Sequence, residues 1–342
     1  MMNKKHPQYL EDIRNVLGVK GIGTLRGKSV LVTGATGLIG VHLIDVLMML
    51  GDVKVCAVGR DRGRAAERLG DHFSSPLFSF LEQDVTQPFP ENICADFIIP
   101  CASNTHPLAY SRYPAETMLV NLKGAEHALE LALRCGATVL YPSTVEVYGN
   151  AREGDTFTED YTGMLNLATS RACYSESKRS CEALCQSYAA EYGVSVRIAR
   201  LSRVFGPTML MSDSKASSQF IRKALDGEDI VLKSEGNQFF SYTYVADAVA
   251  AMLHIMLNGE DGTAYNIAND SCNVHLRDFA GLCAELCGRD VVFDLPSESE
   301  RKGFSVATTA ILDTSRLRDS GFSPIYDMKD AVARTIHILK ND

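Results

Sequence analysis

Tyr174 and Lys178 lie four residues apart in a stretch with helical spacing, downstream of Thr144. On a helix that spacing puts both side chains on one face, where they can meet the same ligand. A free tyrosine titrates near ~10, too high for a general base at neutral pH. A neighbouring ammonium and an oxidised nicotinamide ring both favour the tyrosinate and bring that value down. Lys178 would also hydrogen-bond the nicotinamide ribose, and Thr144 could supply the hydroxyl that polarises the substrate oxygen. A Tyr-x-x-x-Lys pair arises often by chance; it gains meaning from the glycine loop that precedes it. Together the two elements imply hydride chemistry on an alcohol or ketone.

That loop reads Thr33-Gly34-Ala35-Thr36-Gly37-Leu38-Ile39-Gly40, after the apolar run Ser29–Thr33 and before the helical pattern Leu38–Leu50. A strand, a turn with three glycines and a helix form the arrangement a pyrophosphate needs. Gly34 permits the tight turn, Gly37 lets backbone N–H groups approach the phosphates, and Gly40 lets helix and strand pack closely. Thr36, Leu38 and Ile39 complete the expected cradle. The next strand ends Val58-Gly59-Arg60-Asp61-Arg62, with no acid placed for a ribose hydroxyl. Gly59 leaves room and Arg60 and Arg62 supply charge, which favours NADP over NAD unless Asp61 neutralises one of them. Asp84 and Val85, after the third strand, are placed to hold the adenine.

The elements that position these residues alternate. Strands are expected at 29–33, 53–58, 78–81, 97–99, 138–141 and 194–198, with helices at 38–50, 115–135 (ending at Gly136) and 173–192 (ending at Gly193). This order predicts an α/β fold, a Rossmann-type doubly wound parallel sheet covered on both faces. The Rossmann domain is expected over 27–207, completed by 240–268. A smaller α+β substrate domain is expected from 208–239 and 269–342, and residues 1–26 form an N-terminal helical extension.

Composition narrows the partners. The chain has 342 residues, is 46% hydrophobic and carries a net charge of −8. It has no cationic block, so nucleic acid is not expected as a partner. Its apolar runs are too short for a membrane span, and its N-terminus lacks a signal core, which predicts a cytoplasmic location. The ten cysteines include no Cys-x-x-Cys. Cys181/Cys185 and Cys283/Cys287 are i,i+4 pairs on amphipathic helices, so reduced core thiols are expected and no metal. His106 could serve as an acid/base group, although a loop-capping histidine is the plainer reading.

Several further motifs follow in order: Cys101-Ala102-Ser103, Asn121, Ser143-Thr144…Val147-Tyr148-Gly149, Arg200…Gly206-Pro207 and Tyr244-Val245-x-Asp247. With the glycine loop, Asp84 and Tyr174/Lys178, they resemble the extended short-chain dehydrogenase/reductases, the NAD(P)-dependent nucleotide-sugar epimerases, dehydratases and decarboxylases. The resemblance runs from about Lys28 to the C-terminus. It implies a Thr144-Tyr174-Lys178 triad, cofactor contacts from Cys101, Ala102 and Ser103, and a nucleotide-linked sugar as substrate. It also implies a homodimer built through a helix bundle.

Within that family, Arg171-Ala172-Cys173-Tyr174 and Thr144-x-Glu146-Val147-Tyr148-Gly149 look most like the UDP-glucuronate decarboxylases and the 4,6-dehydratases. Dehydratases carry an Asp after the Thr; here that place is Val145, which cannot donate a proton. Glu146 would be the carboxylate near the sugar ring, with Asn104, Gln219 and Lys215 as further substrate contacts. Most relatives carry an Arg just before the aromatic-x-x-Val-x-Asp segment, where this chain has Phe239-Phe240, and an Asn where it has Arg203. The swap predicts that an anionic group is still bound, but from the other side. An NADPH-dependent reductase of a keto-sugar or related phosphorylated carbonyl stays open, as does a catalytically silent NADP-binding sensor or scaffold.

Overall fold

The computed structural model describes residues 2–105, 107–151, 154–295 and 309–340; His106 lies outside them. Along the chain run α1 (Pro7–Val16), β1 (Ser29–Thr33), α2 (Leu38–Leu50), β2 (Lys54–Gly59), α3 (Arg62–Leu69), β3 (Phe78–Glu82) and β4 (Phe97–Pro100). Then come α4 (Pro107–Arg112), α5 (Pro114–Cys135), β5 (Thr138–Thr144), β6 (Thr156–Phe157), α6 (Ala172–Tyr192), β7 (Val196–Leu201) and β8 (Arg203–Phe205). The remainder is α7 (Ala216–Leu225), β9 (Ile230–Leu232), β10 (Phe239–Tyr244), α8 (Val245–Asn258), β11 (Ala264–Ile267), β12 (Asn273–His275), α9 (Leu276–Cys287), β13 (Val291–Phe293), β14 (Thr309–Leu312), α10 (Ser315–Asp319) and α11 (Met328–Lys340).

Seven parallel strands form the main sheet in the order β11-β7-β5-β4-β1-β2-β3. Strand alternation separates two apolar layers: Val30 and Val32 pack with α2 and α8, while Leu31 points to the layer of α5 and α6. The sheet is doubly wound, and the chain reverses direction between β1 and β4. A crevice opens there at the strands' C-terminal ends, where ligands of open α/β sheets bind. The helices end as their sequences dictate. Pro114 starts α5, and Gly136 (φ +65°) and Gly193 (φ +69°) stop α5 and α6 in the left-handed conformation.

A second sheet, β12-β10-β14-β6 with β8 against β10, lies beside the first. Of the stretch expected to complete the Rossmann unit, α8 packs on α2 and β11 edges the main sheet. β10 instead pairs with β8, β12 and β14 in the smaller sheet. β6, β8, β12 and β14, of two to four residues, carry too little alternation to be legible beforehand. β5 continues beyond Tyr141 through Pro142 to Thr144, paired with β7 throughout.

The N-terminal helix is riveted to the body. Tyr9 donates to Asp45 (2.6 Å), Tyr244 donates to Asp12 (2.6 Å), and Arg334 bonds Asp12 from α11 (2.8 Å). Asp247, at the start of α8, accepts the backbone N–H groups of Ile325 and Tyr326. Burial raises its pKa to about 6 against those bonds. The thiol expectation fails at one pair: Cys94, before β4, and Cys135, ending α5, form a disulfide with Cα atoms 5.7 Å apart. They stand 41 residues apart, so no spacing motif announced them, and the bridge departs from the reduced-thiol picture behind a cytoplasmic location. The other eight cysteines are free. Among the described residues no helix is long and apolar enough to cross a membrane, and no cluster could hold a metal ion.

His42 on α2 is fully buried, and neither ring nitrogen has a hydrogen-bond partner. Burial lowers its pKa from 6.5 to about 4, with Lys4 adding to the effect and Asp45 opposing it. The folded state therefore binds fewer protons than the unfolded one. The associated stability is present above pH 6.5 and is lost as pH falls toward 4. It amounts to about 3 kcal/mol. Urea denaturation across that range should show His42→Phe losing less stability than the wild type by roughly this amount; equal losses would contradict it.

Candidate active site

β1 delivers the chain to Gly34, whose φ of +61° suits glycine. A Cβ there would lie 2.7 Å from the Cys101 carbonyl carbon and 2.8 Å from the Ala102 nitrogen. The tips of β1 and β4 thus meet backbone to backbone, and Thr33 Oγ1 accepts the Ala102 N–H at 3.0 Å. At Gly40 a Cβ would meet the Gly34 oxygen at 2.5 Å, so α2 packs flush on the turn. Gly37 caps α2 without any side-chain bond. The first-turn N–H groups of Leu38, Ile39 and Gly40 consequently have no intrahelical acceptor, and Thr36 sits half-buried just before them. This cradle, with no side-chain cap on its helix, fits a pyrophosphate. Ser103 Oγ, beyond Ala102, is buried with no partner.

The adenosine end corrects the sequence reading. Arg60 does not offer a free cation: its Nη1 lies 3.8 Å from Asp84 and 3.5 Å from Glu116. Burial raises the Asp84 pKa, but the Thr86 N–H and hydroxyl and the Arg60 charge outweigh it, so the carboxyl titrates below its ordinary value. One cation between two carboxylates leaves net negative charge, which opposes a 2′-phosphate and suits ribose hydroxyls. Asp61 is occupied capping α3 through the Arg64 N–H, and Arg62 lies over the Phe73 ring. The preference for NADP thus loses its basis. Val85 packs on Gly124, and its carbonyl bonds the His127 ring at 2.9 Å.

The three residues expected to form the triad lie where β5 ends. Lys178 is buried, donates to the Pro142 carbonyl at 2.8 Å and sits over the Tyr141 ring. Burial lowers its pKa. It is also close enough to Cys101 for the two to interact, which joins the triad to the cofactor crevice. Tyr174 is buried against Tyr110, the rings stacked at 5.2 Å. Burial raises its pKa and the Glu146 charge adds to this, while the neighbouring Thr144 hydroxyl and the Arg171 charge pull it down. The expected cation effect thus reaches the phenol from Arg171, and Lys178 is held by a backbone carbonyl instead.

Of the expected substrate contacts, Glu146 and Arg203 gather at this site. Glu146 accepts two bonds from Arg171 (2.9 and 3.0 Å) and one from Ser175 (3.0 Å). Arg203 feels both Glu146 and Arg171. Asn104 bonds Thr117 at 3.3 Å. Gln219 turns its amide to the Ser214 carbonyl, and Lys215 pairs with Asp213. Sequence reasoning quoted Arg171 without giving it a role. It missed Tyr110, which no motif marks, and Ser175, which lies beside Tyr174 on the same helix.

Against known proteins, the sequence model of the "NAD dependent epimerase/dehydratase family" matches residues 30–268. The chain is 32% identical over 329 residues to UDP-glucuronic acid decarboxylase 1 of Xenopus tropicalis, covering 95% of this chain and 75% of that one. It is 34% identical over 263 residues to UDP-glucuronic acid decarboxylase 2 of Arabidopsis thaliana, covering 77% of this chain and 58% of that one. In fold it matches UDP-N-acetylglucosamine 4-epimerase from Methanobrevibacter ruminantium, with TM-score 0.80, 20% identity, and 92% and 98% of the two chains covered. The chain belongs to the NAD dependent epimerase/dehydratase family.

Proposed function

We propose that this chain oxidises a sugar carbinol of a nucleotide-linked uronic acid through Thr144, Tyr174 and Lys178, and that decarboxylation follows. The observation that carries the reading is the gathering of Thr144, Tyr174 and Lys178 at the tip of β5, with Lys178 bonded to the Pro142 carbonyl, beside a crevice where α2 begins without a side-chain cap. NAD, when bound, accepts the hydride and brings positive charge that favours the tyrosinate. Tyr174 takes the hydroxyl proton as the carbinol carbon becomes a carbonyl, and Thr144 holds the same oxygen. Where that carbonyl is β to a carboxylate, the carbon–carboxylate bond breaks with release of carbon dioxide and the resulting enolate takes up a proton. The ketone then regains the hydride as Tyr174 returns its proton to the oxygen, so the pentose forms with no net oxidation. The relatives named UDP-glucuronic acid decarboxylase support this order of events.

Dehydration is disfavoured because Val145, buried next to Thr144, offers no acid. The pairing of Arg60 with two carboxylates speaks against a reductase drawing on NADPH. A homodimer is consistent with Leu119 and Leu133, which α5 leaves exposed beside α6. Incubation with UDP-glucuronic acid, read by mass spectrometry, should yield a UDP-pentose and carbon dioxide. A product that keeps the carboxylate would assign an epimerase, and unchanged substrate would refute the proposal.

A further inference from the structure

Arg203 opens β8 and lies across from Tyr242 in the β8–β10 pairing. Its guanidinium carbon sits 3.5 Å from the centroid of the Phe240 ring. The cation at 203 therefore rests on the Phe240 wall, not on the opposite side as the sequence implied. Its Nη1 is buried without a hydrogen-bond partner, and among the described residues Arg203 forms no ion pair. The aromatic ring offsets part of the desolvation but accepts none of the N–H bonds. Glu146, the anion that acts on Arg203, is committed to Arg171. One carboxylate and two guanidiniums leave an excess positive charge, and the Arg203 Nη1 carries its share away from water. Such a charge is costly until an anion meets it.

The neighbours of Arg203 say which end of a substrate that anion belongs to. Glu146, Tyr110 and Arg171 act on Arg203 and equally surround Tyr174. The guanidinium thus faces the reacting sugar and not the phosphates near α2. A planar carboxylate matches the fork of N–H donors. We propose that Arg203 is the specificity-determining residue that receives a carboxylate on the reacting sugar, and so selects uronic acids over neutral sugars. This rests on the nucleotide-sugar reading above.

Calorimetric titration of the NAD-loaded protein with UDP-glucuronic acid and with UDP-glucose tests it. Arg203→Asn should weaken UDP-glucuronic acid by about 30-fold or more and leave UDP-glucose nearly unchanged. Arg203→Lys, which keeps the charge and guards against misfolding, should restore part of the loss. Equal weakening of both ligands would place the guanidinium on the diphosphate and overturn the inference, as would no weakening of either. A wild-type protein that binds neither ligand would overturn the nucleotide-sugar reading with it.

Discussion

Tyr174→Phe lowers kcat by roughly a hundred- to ten-thousand-fold, the usual worth of a positioned acid–base group, and leaves NAD affinity unchanged. The substitution removes one oxygen and keeps the ring that stacks on Tyr110, so the site keeps its shape. Because burial and Glu146 hold the phenol pKa above its ordinary value, the protein without cofactor keeps a neutral phenol at neutral pH. Turnover should therefore rise with pH until the group ionises in the loaded enzyme, and that limb should vanish in the variant. Steady-state rates across pH, with NADH binding followed by fluorescence, check both parts. A variant with full turnover would contradict Tyr174 as the acid–base group.

Gly34→Ala is the second large effect. A β-carbon at that position would press on the Cys101 and Ala102 backbone at 2.7–2.8 Å, and φ +61° is unfavourable for alanine. The left-handed conformation alone costs roughly 1–2 kcal/mol, and the clash adds to it by prising the tips of β1 and β4 apart. NAD affinity should fall by at least about tenfold, with a lower Tm. Gly70→Ala is the control: φ is −53° and nothing lies within 4 Å of the added carbon. Equal NAD affinity in the two variants would contradict the cradle described here.

The parts of this molecule that were legible in advance share a physical cause. Buried parallel strands are continuous apolar runs, and the α2, α5 and α6 helices have long periodic faces with glycine or proline at their ends. Those local rules carried the main sheet, the glycine turn and the Tyr174/Lys178 face. What they missed depends on contacts distant in sequence. The strand expected at 138–141 in fact runs on through Pro142, and Lys178 bonds the Pro142 carbonyl. Arg60 looked like a phosphate anchor until Asp84 and Glu116 arrived from other elements. Arg203 and Phe240 could be read from the sequence, but that they meet face to face depends on the pairing of β10 with β8, a strand of three residues. The Cys94–Cys135 bridge likewise joins a loop to a helix end.

The most direct measurement mixes NAD-loaded protein with UDP-glucuronic acid, deuterated or not at the carbinol β to the carboxylate. Near-ultraviolet absorbance of reduced nicotinamide is followed through one turnover. The account predicts a transient rise that deuterium slows and that Tyr174→Phe abolishes. Carbon dioxide released with no such transient at any substrate concentration, and with no isotope effect, would contradict it.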